Sequence, residues 1–274
     1  MADIALSSAV RASLLSLQGT NKLINQTQSR LSTGLKVSSP VDNARAFFEA
    51  KALNDRARDL SGKKEGIDQA ISSVKVALSA VDAIETIVNQ LKGVANSAKS
   101  ATTATEFASL NAQYDELINQ INKLTGDASY QGLNLINGTG SQLSVEWSTD
   151  SASTLDVASI DLRGGSAGGL GIYTGVTLSV ASLVTCAIGE LDASLATIRS
   201  EAQKLGANVA LLQTRLDFTA SYVNELESGA GKLILADVSE EGANLVALQT
   251  RQQLGISSLA FAGQSEQSVL ALFR

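Results

Sequence analysis

The chain has 274 residues, 44% apolar and 18% charged side chains, and a net charge of −6, a balance that excludes an acidic disordered chain. It has no histidine and a single cysteine, Cys186, which excludes an internal disulfide and any Ser–His–Asp or Cys–His catalytic arrangement. Aromatic residues are only 4%, so Ala, Leu, Ile and Val must do the packing, as suits long helix–helix seams.

Near the start, Val10, Leu17, Ile24 and Leu31 recur every seven residues, with Leu6 and Leu14 filling in. They predict a first helix over about 4–33, stopped by Gly34. Ser39-Pro40-Val41-Asp42 reads as a second helix start, with Ser39 as cap, Pro40 at the first helical position and Asp42 as the capping-box acid. Pro40 is the chain's one proline. The second helix is predicted to run to about residue 98 on a stripe of Ile67, Ile71, Val74, Leu78, Val81, Ile84, Val88 and Leu91. Gly62 and Gly66 weaken it near Ser61-Gly62-Lys63-Lys64 and leave a local break open there. Phe107, Leu110, Tyr114, Leu117, Ile121 and Leu124 mark a third helix.

Glycines crowd the stretch from Gly126 to Gly175. Leu143, Val145 and Trp147 alternate with polar residues, and 154–160 follows as a second strand, so a small hairpin with loops is predicted. From Val184 the helical period returns as a heptad seam that includes Leu191, Leu195, Ile198, Leu205, Val209, Leu212 and Leu216. Ser228-Gly229-Ala230-Gly231 is expected to end it. Asp237-Val238-Ser239-Glu240 opens a last helix bearing Leu245, Leu248, Ile256, Leu259, Val269, Leu270 and Phe273. The expected fold is mostly α. Terminal helices form an antiparallel coiled coil, joined to an elongated helical bundle with a small β-hairpin region. The expected domains are 1–40 plus 235–274, and 41–234, with hairpin and loops near 129–177.

Three segments, in order along the chain, resemble bacterial flagellin, the subunit of the flagellar filament. Leu31-Ser32-Thr33-Gly34-Leu35-Lys36-Val37, with Ser38-Ser39-Pro40-Val41-Asp42-Asn43-Ala44, resembles the family's segment leaving its innermost helix. Ser129-Tyr130-Gln131-Gly132-Leu133-Asn134-Leu135-Ile136-Asn137-Gly138 resembles the entry to its hairpin region. Gln249-Thr250-Arg251-Gln252-Gln253-Leu254-Gly255 and the ending Leu270-Ala271-Leu272-Phe273-Arg274 are similar to its C-terminal signature. The resemblance implies a structural subunit that self-assembles into a helical filament for swimming motility, with no enzyme activity and no cofactor.

It also implies an extracellular filament exported without a cleaved signal peptide. The implied partners are copies of the chain, the flagellar export apparatus with its chaperone, and hook-associated and cap proteins. A hook–filament junction protein of the same family is the alternative, and a secreted adhesin a more distant one. Cys186 departs from a family that usually lacks cysteine.

The filament-core residues are expected to be Leu6, Val10, Leu14, Leu17, Ile24, Leu31, Leu245, Leu248, Ile256, Leu259, Val269, Leu270 and Phe273, with Gly34, Ser39, Pro40, Asp42 and Asn43 between domains. Small residues at Ala202, Gly206, Gly255, Ala262 and Gly263 are expected to permit close helix approach. There is no basic stripe for nucleic acid, and no run is expected to span a membrane. The start lacks a basic region followed by an apolar core, so no secretory signal peptide is expected. Arg163-Gly164-Gly165-Ser166-Ala167-Gly168-Gly169 lacks the Gly-Lys-Ser/Thr ending of a phosphate loop and reads as a surface loop. Asn137-Gly138-Thr139 matches a glycosylation sequon but reads as a turn. Asp237, Glu240 and Glu241 read as helix-capping acids, not metal ligands.

Overall fold

A computed structural model describes residues 8–148, 153–165, 169–175 and 178–272; the side chains of 8, 9, 266, 267 and 269–272 are outside that description. Five helices carry the chain: α1 (Ser8–Thr33), α2 (Pro40–Ala98), α3 (Ala104–Asp127), α4 (Ala181–Ile234) and α5 (Val238–Leu272). Between α3 and α4 lie two antiparallel hairpins, β1 (Ser129–Tyr130) with β2 (Leu133–Asn134), and β3 (Gln142–Glu146) with β4 (Thr154–Ala158). The fold is mostly α, as the periodicity predicts. Contacts divide it into two compact units, residues 1–56 with 225–274, and residues 57–224.

In the unit of residues 57–224, the core is a continuous cluster of small and branched aliphatics. Ile67, Val74, Val81, Ile84, Val88 and Leu91 of α2 meet Ile118 and Ile121 of α3 and Val184, Leu191, Ile198, Leu205 and Leu212 of α4. The α2 and α4 segments run antiparallel, because Lys92 pairs with Asp192 while Glu85 accepts from the Arg199 Nε at 2.9 Å. All seven expected α4 seam residues are buried or half-buried.

By length and composition α4 is apolar enough to cross a membrane, with a mean hydropathy of 1.3 over its most apolar stretch, contrary to the expectation that no run is. Its apolar side is the bundle seam, and charged residues such as Asp192 and Arg199 flank it.

α3 begins with a capping box, Thr103 with Glu106, that adds to the periodic apolar residues marking this helix. Thr103 accepts from the Glu106 amide at 3.2 Å, and Glu106 Oε2 accepts from the Thr103 amide at 3.1 Å. Its outer residues then hold the glycine-rich loop. Asn111, Asp115 and Asn122 accept backbone N–H bonds from Leu178, Gly175 and Gly164 at 3.1, 2.9 and 2.9 Å. Gly164 has to be glycine, since a Cβ there would come within 2.7 Å of Ile118 Cγ2. The β3–β4 hairpin is anchored at one end: Lys63 pairs with Glu146, and the Arg215 guanidinium lies 5.1 Å from the Trp147 ring centre.

Tyr114 is fully buried in this core, and among the described residues its hydroxyl has no hydrogen-bond partner. Desolvation first, then the charges of Glu190 and Asp115, push its pKa up to about 12. A buried unpaired hydroxyl costs about 1–3 kcal/mol. Tyr114→Phe is therefore expected to raise the urea midpoint, by about 1 kcal/mol of stability. A loss of stability would mean that the hydroxyl is serving a partner.

Three breaks read from the sequence are absent or displaced. Helix α2 runs unbroken through Gly62 and Gly66. Burial of Ile67, Ala70, Ile71 and Val74 just beyond outweighs the roughly 1 kcal/mol propensity cost of each glycine. Helix α4 does not end at Ser228-Gly229-Ala230-Gly231 but at Ile234. Leu53 packs beside this stretch, at a distance where a Cβ on Gly229 would make ordinary contact, 3.6 Å. The third displacement is at the start of α2. Ser39 does not cap the long helix. Asn43 has extended backbone (φ −160, ψ 98), and its Oδ1 accepts from the Ala46 amide at 3.1 Å, so Asn43 is the working cap.

Candidate functional site

In the unit of residues 1–56 and 225–274, α1 packs along α5, and the seam between them holds Val10, Leu17, Ile24, Leu31, Leu245, Leu248 and Leu259 of the predicted assembly residues. The two helices run antiparallel: Arg30 faces Glu241, Asn21 faces Gln252, and Leu17 faces Gly255. A small clasp fixes their near ends. Gly34 takes φ +69, which closes α1 with a 2.8 Å bond from its amide to the Arg30 carbonyl. Leu35 then bridges to Leu235, the Lys36 amide donates to the Ile234 carbonyl at 2.7 Å, and the Ala236 amide donates to Gly34 at 2.9 Å. Asp237 Oδ1 caps α5, accepting from the Ser239 and Glu240 amides at 2.8 and 3.2 Å.

The seam on α1 is Val10, Ser13, Leu17, Thr20, Ile24, Thr27 and Leu31, in alternating steps of three and four, all buried or half-buried. The apolar reading finds only every second member. Thr20 and Thr27 are buried, and Thr20 donates to the Ser16 carbonyl at 2.9 Å. The full heptad spacing would have located both. On α5 the matching positions are Glu241, Leu245, Leu248, Gln252, Gly255, Leu259 and Ala262. Gly255 admits close approach, since a Cβ there would lie 2.9 Å from Leu17 Cδ2; among the described residues a Cβ at Gly206 or Gly263 would meet no neighbouring element within 4 Å.

Leu14 and Ile256 lie outside the seam and are exposed. Leu6 and Phe273, and the side chains of Val269 and Leu270, fall outside the described residues.

Arg30 Nη1 donates to Glu241 Oε1 at 2.8 Å, with Glu241 the more buried partner. This lies between an exposed ion pair and a fully desolvated one, so a double-mutant cycle with Arg30→Ala and Glu241→Ala is expected to give a coupling of about 1–2 kcal/mol. A coupling near zero in thermal unfolding would remove the pair from the register of α1 against α5.

The segment after Gly34 is organised by Asp42 rather than Ser39. One carboxylate oxygen accepts from the amides and hydroxyls of both Ser38 and Ser39, at 3.0–3.1 Å. The Ser39 hydroxyl, followed by the Ser38 hydroxyl and the Ser39 amide, holds the Asp42 carboxyl below its ordinary value. Pro40 therefore opens a single short turn before Asn43 restarts the helix.

What the pair leaves outside is as informative as the seam. On α1, Leu15 and Leu23 are exposed at an eight-residue step. On α5, Val246, Leu254 and Phe261 are exposed at steps of eight and seven, with Leu254 67% and Phe261 72% accessible. Such repeats place each set on one helical face. Charge is sparse beside them: α1 holds Arg11, Lys22 and Arg30 with no acid, and α5 holds only Arg251 between Gly242 and Gln264. A groove of about 300 Å³ between the helices is lined by hydroxyls, Leu17, Leu254 and Arg251. Among the described residues no group of His, Cys, Asp and Glu is placed to hold a metal ion.

Long seams, a core without a chemical cluster, and apolar stripes turned outward on a charge-poor helix pair define a structural subunit that assembles through helices. The first half matches the bacterial flagellin N-terminal helical region over residues 6–141, and the last part matches the bacterial flagellin C-terminal helical region over residues 188–273. Flagellin FljM of Caulobacter vibrioides is 33% identical, with 99% of this chain and 98% of that protein covered. A flagellin of Brucella melitensis biotype 1 is 30% identical over the full length of both. The chain belongs to the bacterial flagellin family, and it is a structural subunit of the flagellar filament.

Proposed function

We propose that copies of this chain polymerise through the outward stripes of α1 and α5, stacking in a contact that does not close on itself and so grows an open helical filament. The observation that carries this is the regular exposure of Leu15, Leu23, Val246, Leu254 and Phe261 on a helix pair whose own seam is thin. That seam contains Ser13, Thr20, Thr27, Gln252 and Gly255, so it buries little apolar surface per turn. Neighbouring copies supply the burial that a single subunit lacks.

In this reading α1 and α5, including Leu6, Val269, Leu270 and Phe273, form the inner layer of the filament, and the segment Gly34 to Asn43 leads out of α1 into α2. The chain is exported without a cleaved signal peptide, through the flagellar export apparatus with its chaperone, and meets hook-associated and cap proteins at the filament ends. It performs no catalysis.

Electron microscopy and sedimentation of the purified full chain provide the test. Long filaments made of this chain alone are expected. A discrete, closed oligomer at every concentration would overturn the proposal.

A further inference from the structure

Asn137-Gly138-Thr139, set aside above as a turn, carries a chemistry of its own. Asn137 is the only asparagine in the chain followed by glycine. Glycine offers the least hindered backbone nitrogen for attack on a preceding asparagine side chain. In that reaction the Gly138 nitrogen loses its proton to base and bonds to the Asn137 Cγ. The side-chain nitrogen leaves as ammonia, and a succinimide closes. Water then opens either carbonyl, leaving aspartate or isoaspartate.

The fold holds every participant away from that path. The Gly138 amide donates to the Ile160 carbonyl at 2.9 Å, so the nucleophile is protonated and engaged. Asn137 Oδ1 accepts from the Thr139 amide at 3.2 Å and from the Thr139 hydroxyl at 2.7 Å, which pins the electrophile in an Asx turn. Asn137 bridges to Asp161, and the Leu162 and Ile160 amides donate to Ile136 and Leu135 on either side, at 3.0 and 2.9 Å. The Asp161 side chain packs over Gly138 so closely that a Cβ there would lie 2.6 Å from its Cγ. Arg163 holds that carboxylate with two bonds, at 2.9 and 2.8 Å.

We infer that Asn137–Gly138 is a self-modification site that the 135–139/160–162 ladder keeps closed, and that deamidates when the ladder opens. The change is one-way. Isoaspartate adds a methylene to the backbone between 137 and 138, which displaces the Gly138 amide from Ile160.

The test incubates the full chain, folded and in guanidinium chloride, at one mildly alkaline pH and temperature, and maps aspartate and isoaspartate by peptide mass spectrometry. The unfolded chain is expected to convert at residue 137, and the folded chain to convert at least about tenfold more slowly, because reaction must wait for local opening. Asn137→Gln in denaturant is expected to leave that peptide unconverted. Equal rates in folded and unfolded chains, or no conversion at 137 in the unfolded chain, would overturn the inference.

Discussion

Lysine at both Leu254 and Phe261 is expected to leave the subunit folded and to abolish polymerisation. Both side chains are exposed in the subunit, so their replacement should change its stability by no more than about 0.5 kcal/mol. In an assembly that covers the α5 stripe, each contributes about 1.5–3 kcal/mol of burial. The substituted ammonium groups would add a desolvation cost on top of that loss. A combined loss of about 4 kcal/mol raises the concentration needed for growth by roughly a thousandfold. Circular dichroism checks the fold, and sedimentation with electron microscopy checks the assembly. Filaments forming at the wild-type concentration would show that these faces stay uncovered in the polymer. Lysine at Phe48, exposed elsewhere in the same unit, provides a control that separates this stripe from a general charge effect.

The second large effect lies in the bundle. Leu191→Ala and Ile198→Ala each remove a fully buried side chain from the α4 seam. Each is expected to cost about 2–5 kcal/mol, the lost transfer energy plus the cavity left behind. Leu211→Ala, on the same helix but 42% accessible, should cost no more than about 0.5 kcal/mol. Because the chain has two compact units, urea unfolding need not be one transition. The loss is expected in the transition that reports the unit of residues 57–224, which Trp147 fluorescence follows. Equal effects at 191, 198 and 211 would mean that the heptad seam is not what stabilises the bundle.

These two regions differ in how far the sequence discloses them. The α4 seam is legible because nearly all its members are aliphatic, so apolar spacing and burial coincide. The α1 seam is half legible: its alternate positions are Ser13, Thr20 and Thr27, polar by type, although Thr20 and Thr27 are buried and the Thr20 hydroxyl bonds back to the Ser16 carbonyl. Propensity misleads at Gly62, Gly66 and Gly229, where packing of the surrounding stripe, or of Leu53 beside the helix, decides the outcome. At Ser39 and Asn43 either residue is a good cap by type. The four donors that converge on Asp42 settle the choice, and that convergence is three-dimensional. The mooring of Gly164, Gly175 and Leu178 on α3 has no sequence signature of its own, since these main-chain donors are met by side chains some 40 to 70 residues earlier.

That last arrangement has an evolutionary corollary. Asn111, Asp115 and Asn122 read only the peptide groups of the segment they hold, so they are blind to the identity of most residues in it. At Gly164 the close approach of Ile118 adds a size limit, Gly175 takes φ +74, and Leu170, Ile172 and Leu178 bury their side chains in the bundle core, so those positions are constrained as well. Positions of the segment outside these constraints can drift in composition while the helix beneath stays unchanged.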